Sequence, residues 1–192
     1  MIISLQAILE IADSKNMAIA AFNVTSMEGI QAALEAAEEL DQPVILQFSN
    51  TNHGSYVPMD VIGPVMVELS KRASIPVCVH LDHGSSFEEV QEALDMGFSG
   101  VMYDGSAFSY KENAANTKAV VEMAAKYGVA VEAEIGSMGR DEFTSVGGNG
   151  SEEEVEGCYT DPDQAARFVR DTGVGALACS FGTVHGIYLR AL

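Results

Sequence analysis

Residues 77–84 read Val-Cys-Val-His-Leu-Asp-His-Gly. Val77–Asp82 is a short apolar run of strand length that ends in polar side chains, and Ser86–Met96 behind it has the pattern of a helix. Side chains two apart on a strand share a face. His80 and Asp82 therefore point the same way, and His83 sits at the turn beyond.

The same grammar recurs along the chain. Strands are expected at Ala18–Asn23, Pro43–Ser49, Val77–Asp82, Gly100–Asp104, Val129–Gly136 and Ala176–Phe181. Helices are expected at Ser4–Lys15, Thr25–Leu40, Met59–Arg72, Ser86–Met96, Lys111–Tyr127 and Asp161–Thr172. Strands that read as nearly continuous apolar runs are buried on both faces. Strand–helix alternation implies right-handed crossovers and a parallel sheet, so the fold class is α/β. Punctuation agrees with these limits. Ser85 or Ser86 can cap the helix that carries Glu88 and Glu89, and Thr160-Asp161-Pro162 opens another. Gly97, Gly128 and Gly173 each follow a helix. One long irregular stretch, Ser137 to Cys158, holds Gly147-Gly148-Asn149-Gly150 and Glu152-Glu153-Glu154. A loop of that length inside a domain is functional or mobile, whereas the glutamate run reads as a solvated face.

Parallel α/β proteins keep their chemistry at the carboxyl ends of the strands. Here those ends are polar six times over: Asn23, Ser49-Asn50, His80 to Gly84, Asp104-Gly105-Ser106, Glu132 with Glu134, and His185-Gly186 just past the last strand. His83 and His185 with Asp104 and Glu134 offer nitrogen and oxygen donors suited to a zinc-type ion with an open position. A histidine at a strand end is more often a hydrogen-bonded structural residue, and His53 is read that way. His80 is read as a support that orients Asp82 or a ligand.

Composition narrows the function. The 192 residues carry 10 Lys+Arg against 28 Asp+Glu, a net charge of -18. Such a chain repels phosphate backbones and anionic membranes, so no nucleic-acid or membrane partner is expected. Three cysteines, Cys78, Cys158 and Cys179, do not make a disulfide framework, and Cys78 and Cys179 read as buried small hydrophobes. With no signal peptide and no membrane-length apolar run, the chain is expected in the cytoplasm.

Several stretches together resemble the zinc-dependent class II fructose-bisphosphate/tagatose-bisphosphate aldolases. They are Ala21–Val24 (AFNV), Pro43–Ser49 (PVILQFS), His80–Val90 (HLDHGSSFEEV), Gly97–Ser106 (GFSGVMYDGS), Thr117–Ala124 (TKAVVEMA), Val131–Gly136 (VEAEIG), Tyr159–Pro162 (YTDP) and Gly182–Tyr188 (GTVHGIY). The resemblance implies a TIM (β/α)8 barrel, incomplete, with about six of eight βα units in a single partial domain over residues 1–192. It implies cleavage or formation of a ketose 1,6-bisphosphate, fructose or tagatose, through a zinc-stabilised enediolate. The products are dihydroxyacetone phosphate and glyceraldehyde 3-phosphate.

Residue by residue, the resemblance makes Asp82 the acid/base at the substrate C4 hydroxyl. His83 and His185 are similar to two of three zinc histidines. Asp104 and Glu134 match holders of a second cation or of displaced zinc. Gly186 matches a backbone donor to phosphate, and Asn23 and Ser49 match residues near the other end of the substrate. Glu142, or its neighbour Asp141, matches the loop acid that exchanges the enediolate proton.

Two departures stand out. The histidines are His53, His80, His83 and His185, so the family's third zinc histidine has no counterpart, and a full barrel takes about 250 residues. The loop reads Gly139-Arg140-Asp141-Glu142-Phe143, where family members have a second glycine and a second acid. The chain is accordingly expected to be marginally stable alone and weakly active or inactive. It would be a homo-oligomer, a partner to a complementing C-terminal segment, or a non-catalytic interaction subunit.

Overall fold

The computed structural model describes residues 1–50, 57–136 and 159–181. The elements run α1 (Leu5–Lys15), β1 (Ala20–Asn23), α2 (Met27–Glu39), β2 (Val44–Ser49), α3 (Met59–Arg72), β3 (Val77–Gly84), α4 (Phe87–Met96) and β4 (Gly100–Tyr103). They continue with α5 (Tyr110–Ala124) and a 3-10 turn (Ala125–Tyr127), then β5 (Ala130–Ile135), α6 (Pro162–Thr172) and β6 (Ala176–Cys179).

Local chemistry sets the helix limits. Ser4, Ser26, Ser86, Ser109 and Asp161 each accept a bond from a backbone amide three residues on, at the start of α1, α2, α4, α5 and α6. Asn16, Gly97 and Gly173 close helices in the left-handed conformation. Thr160 does not cap α6. Its amide donates to the carbonyl of Ser180, and its hydroxyl bonds the Ile135 carbonyl and the Ser180 amide, stitching the top of β5 to the chain after β6.

The six strands form one parallel sheet in the order β1-β2-β3-β4-β5-β6. Every neighbour in space is the next strand in sequence, so the sheet curls in one direction with its helices outside, as a half-barrel of TIM type. On the outer face, Val44, Leu46, Phe48, Val77, Val79, Leu81, Val101, Val131 and Ala133 meet the apolar faces of the helices in the main core. The inner face is closed at its amino-terminal end by α1, whose Leu5 and Ile8 pack on Ile45 and Cys78. This double burial explains why the strands read as apolar runs. Above that plug the inward positions turn polar.

β1 is exposed at all four residues and β6 is half-buried throughout, whereas β2 to β5 are largely buried. Both are edges of the sheet. Cys179 on β6 is for that reason half-buried rather than buried as expected; Cys78 is buried, and Cys158 lies outside the described residues. Among the described residues no helix is long and apolar enough to cross a membrane.

Burial pushes the Cys78 thiol up to about 12; its contact with Ser99 opposes the shift and the charge of Glu132 adds to it. Thiol reactivity follows the thiolate fraction and access. Peptide-resolved alkylation at pH 8 should spare Cys78 in the folded chain and label it fully in denaturant, with Cys179 labelled first of the two.

Candidate functional site

Three strand ends meet at the carboxyl edge of the sheet. β3 supplies Asp82 and His83, the turn after β4 supplies Asp104, and β5 supplies Glu134. The β3–β4 register shifts between Leu81 and Gly84. Within that irregularity His83 takes a left-handed backbone conformation, φ 52°. For a histidine this costs roughly 1–3 kcal/mol and persists only where the surroundings enforce it. The result is that Asp82 and His83, adjacent in sequence, both serve the same site instead of pointing to opposite faces.

His83 Nδ1 lies 2.8 Å from Asp104 Oδ2, and His83 Nε2 lies 4.0 Å from Asp82 Oδ1. The Asp104 hydrogen bond lifts the imidazole to about 9; burial opposes this and the Asp82 charge adds to it. Burial on its own would raise Asp104, but hydrogen bonds from His83 and Ser106 hold it at about 2. Ser106 donates both its hydroxyl, at 2.6 Å, and its amide, at 3.0 Å, to Asp104 Oδ1. Burial, reinforced by the Asp104 charge, pushes Glu134 up to about 7. Glu134 Oε2 is buried and has no hydrogen-bond partner among the described residues.

These observations bear on a cation. His83, Asp104 and Glu134 each offer one donor atom, all within 4.8 Å of one another. Donors bound about 2.0–2.2 Å from one zinc ion stand roughly 3–4 Å apart, a spacing these side chains would reach by modest rotation. A buried carboxylate atom without a partner among the described residues is costly, and a cation held here would supply one. The donor set therefore fits a zinc-type ion.

Asp82 stands beside the cluster. Asn23 Nδ2 donates to its Oδ2 at 3.1 Å, linking β1 to β3 across β2. Ser49 pairs in register with Asp82 and is fully buried, its hydroxyl without a partner. Thus Asn23, Ser49, Asp82, His83, Asp104 and Glu134 share one edge of the sheet. Glu142, Asp141, His185, Gly186 and His53 lie outside the described residues.

His80 lies one pleat below and turns to Glu132, not to Asp82: its Nε2 is 3.0 Å from Glu132 Oε2, close but poorly aligned for a hydrogen bond. The ring crosses β4 at Gly100, its register partner. A Cβ at Gly100 would stand 2.7 Å from His80 Nδ1 and 3.0 Å from the Cβ of Leu5. Glycine at that position lets β3 reach β5. Ser106 and Glu132 were read only as polar strand ends, and Asn113 had no assigned role, because a short polar residue in the first turn of a helix looks like solvated surface. Only the i,i+4 pairing of Asn113 with Thr117 hinted at a buried polar contact.

Comparison with known proteins agrees with this geometry. Residues 3–191 match the family model described as fructose-bisphosphate aldolase class-II. A fructose-bisphosphate aldolase of Staphylococcus aureus (strain Mu50 / ATCC 700699) is 40% identical over 97% of this chain and 64% of its own length. One from Giardia intestinalis (strain ATCC 50803 / WB clone C6) is 41% identical over 96% of this chain and 55% of its own. The crystal structure of the YdjI aldolase from Escherichia coli K12 superposes with a TM-score of 0.84 at 35% identity, covering 99% of this chain and 64% of that one. The chain thus spans less than two thirds of the length of these relatives.

Gly100→Ala should cost about 1–3 kcal/mol through overpacking, read as a lower urea midpoint with unchanged slope. An unchanged midpoint would mean that the ring and Leu5 move aside freely.

Proposed function

The chain belongs to the class II fructose-bisphosphate aldolase family, and from that premise we propose that it carries the acid/base and cation-binding part of a ketose 1,6-bisphosphate aldolase site. The substrate is fructose or tagatose 1,6-bisphosphate, and the products are dihydroxyacetone phosphate and glyceraldehyde 3-phosphate. The observation that carries the reading is the convergence of one donor atom each from His83, Asp104 and Glu134 within 4.8 Å, with Asp82 alongside.

His83, Asp104 and Glu134 would hold the divalent cation, zinc by the chemistry of the donor set, with His185 as a further ligand. When bound, such an ion acts as a Lewis acid where negative charge develops on the substrate carbonyl oxygen in retro-aldol cleavage. Asp82 takes the proton from the substrate C4 hydroxyl as the carbon–carbon bond breaks, and returns it in the condensation direction. Asn23 fixes the rotation of that carboxylate through its bond to Oδ2. Ser49, in register with Asp82, stands near the other end of the substrate. Glu142, or Asp141, exchanges the proton at the nucleophilic carbon, and Gly186 donates its amide to phosphate. We assign the activity to the cytoplasm.

A second reading keeps the fold without the turnover, and the edges of the sheet favour it. β1 is fully exposed, and β1 and β6 each pair on one side only among the described residues. Unpaired edges recruit further strands. In that reading a complementing segment or a second copy covers them, and the chain is an interaction subunit.

Zinc content, cleavage of fructose 1,6-bisphosphate and sedimentation of the purified chain separate the two. The first reading expects bound zinc, cleavage abolished by EDTA, and a fall of about 100- to 10,000-fold in Asp82→Ala. Asn23→Ala should lower kcat more than it raises KM. A zinc-loaded chain that never cleaves the substrate, or an Asp82→Ala variant as active as the parent, overturns it. An oligomer without zinc or turnover supports the second.

A further inference from the structure

The geometry points to Asn113, on the outer helix α5, as a positioning residue that sets the spacing between Asp104 and Glu134. This rests on the reading of those carboxylates as cation ligands.

Asn113 is buried, at 3% exposure, although it lies in the first turn of α5 among charged neighbours. Its Nδ2 donates 2.9 Å to the main-chain carbonyl of Glu134. Its Oδ1 accepts the hydroxyl of Thr117, 3.0 Å away and one helical turn on. Thr117 is itself fully buried. Because the Glu134 carbonyl can only accept, the amide has one orientation: NH2 toward β5, oxygen toward Thr117.

The same amide bounds the turn that carries Asp104. A Cβ built on Gly105 would run into Asn113 Oδ1 and Cγ, and would come to 3.1 Å from the Tyr103 ring. Gly105 follows Asp104 directly, and the only residue that fits against the amide there is one without a side chain. One buried side chain therefore touches both strand ends, the β4 turn by packing and β5 by a hydrogen bond. The strands give no such link at this height. Their register pairing ends at Tyr103 with Ala133, one residue below the two carboxylates. Above that point, Asn113 joins the two strand ends, alongside Ser106, which bonds Asp104 and also hydrogen-bonds toward Glu134.

Groups behind metal ligands act in this way, and their loss typically lowers metal affinity about 10- to 100-fold. The hydrogen bond here goes to the main chain of Glu134 and not to its carboxylate, so the effect is on position, not on ligand basicity.

The test titrates the purified 192-residue chain with Co2+, followed by visible absorption and calorimetry, for the parent, Asn113→Ala, Thr117→Val, Thr117→Ser and Val120→Ala. Val120 is a fully buried core residue of the same helix that carries no side-chain hydrogen-bonding atom. Expected are a 10- to 100-fold weaker Co2+ affinity in Asn113→Ala, a several-fold loss in Thr117→Val with recovery in Thr117→Ser, and altered visible bands. Val120→Ala should lower the melting temperature and leave Co2+ affinity as it was. Should Asn113→Ala fail to fold, Thr117→Val, of nearly equal volume, decides. Parental affinity in the Asn113 and Thr117 variants overturns the positioning role alone, as does an equal loss in Val120→Ala. A parent that binds no Co2+ overturns the cation reading together with this one.

Discussion

The contact between His83 and Asp104, 2.8 Å across two neighbouring strands, is the constraint on which the site depends. It needs a left-handed histidine and a break in the β3–β4 register. Both are unfavourable by themselves. The hydrogen bond between the His83 ring and the Asp104 carboxylate, with Ser106 fastening the same carboxylate from the other side, offsets that cost in a half-buried place. With the pair in place, Asp82 is aimed inward beside it and Glu134 faces both. The pKa pattern follows: the histidine is raised, the paired aspartate is lowered, and the glutamate left over is raised by burial and by its neighbour's charge.

The rest of the half-barrel serves to hold three strand ends at that spacing. Curling the sheet brings β3, β4 and β5 to face one interior, and α1 fills its lower end with Leu5 and Ile8. The middle of the interior holds the His80–Glu132 contact over Gly100, so a polar layer begins one pleat below the site. Outside, α5 sends Asn113 through the wall to the Glu134 backbone. The inner surface therefore passes from apolar plug to polar brace to donor cluster within three pleats. Such an interior tolerates little change of volume, as the close approaches at Gly100 and Gly105 indicate.

Much of this was legible in the chain. The alternation of apolar runs and helical stripes located all six strands. The capping serines and terminal glycines set most helix limits, because capping chemistry is local. Polar residues at successive strand ends marked the edge where His83, Asp104 and Glu134 gather, since in a parallel sheet all strands end on the same side. What escaped was the set of contacts made sideways. His80 could be placed on the face of Asp82, but its partner proved to be Glu132, two strands away, reached only because Gly100 has no side chain. Thr160, next to the expected cap Asp161, joins β5 to the end of β6. Asn113 looked like surface.

By itself, then, the sequence determined the βα order, the parallel sheet, the edge on which chemistry collects and the residue types that meet there, since each is written in periodicities and short spacings along one chain. Only the tertiary structure decided which donor atoms come together, that His83 takes a left-handed turn to join them, and that Asn113 reaches the Glu134 backbone. Those outcomes depend on the curl of the sheet and on packing between residues 20 to 50 positions apart, and no local pattern encodes a distance across strands.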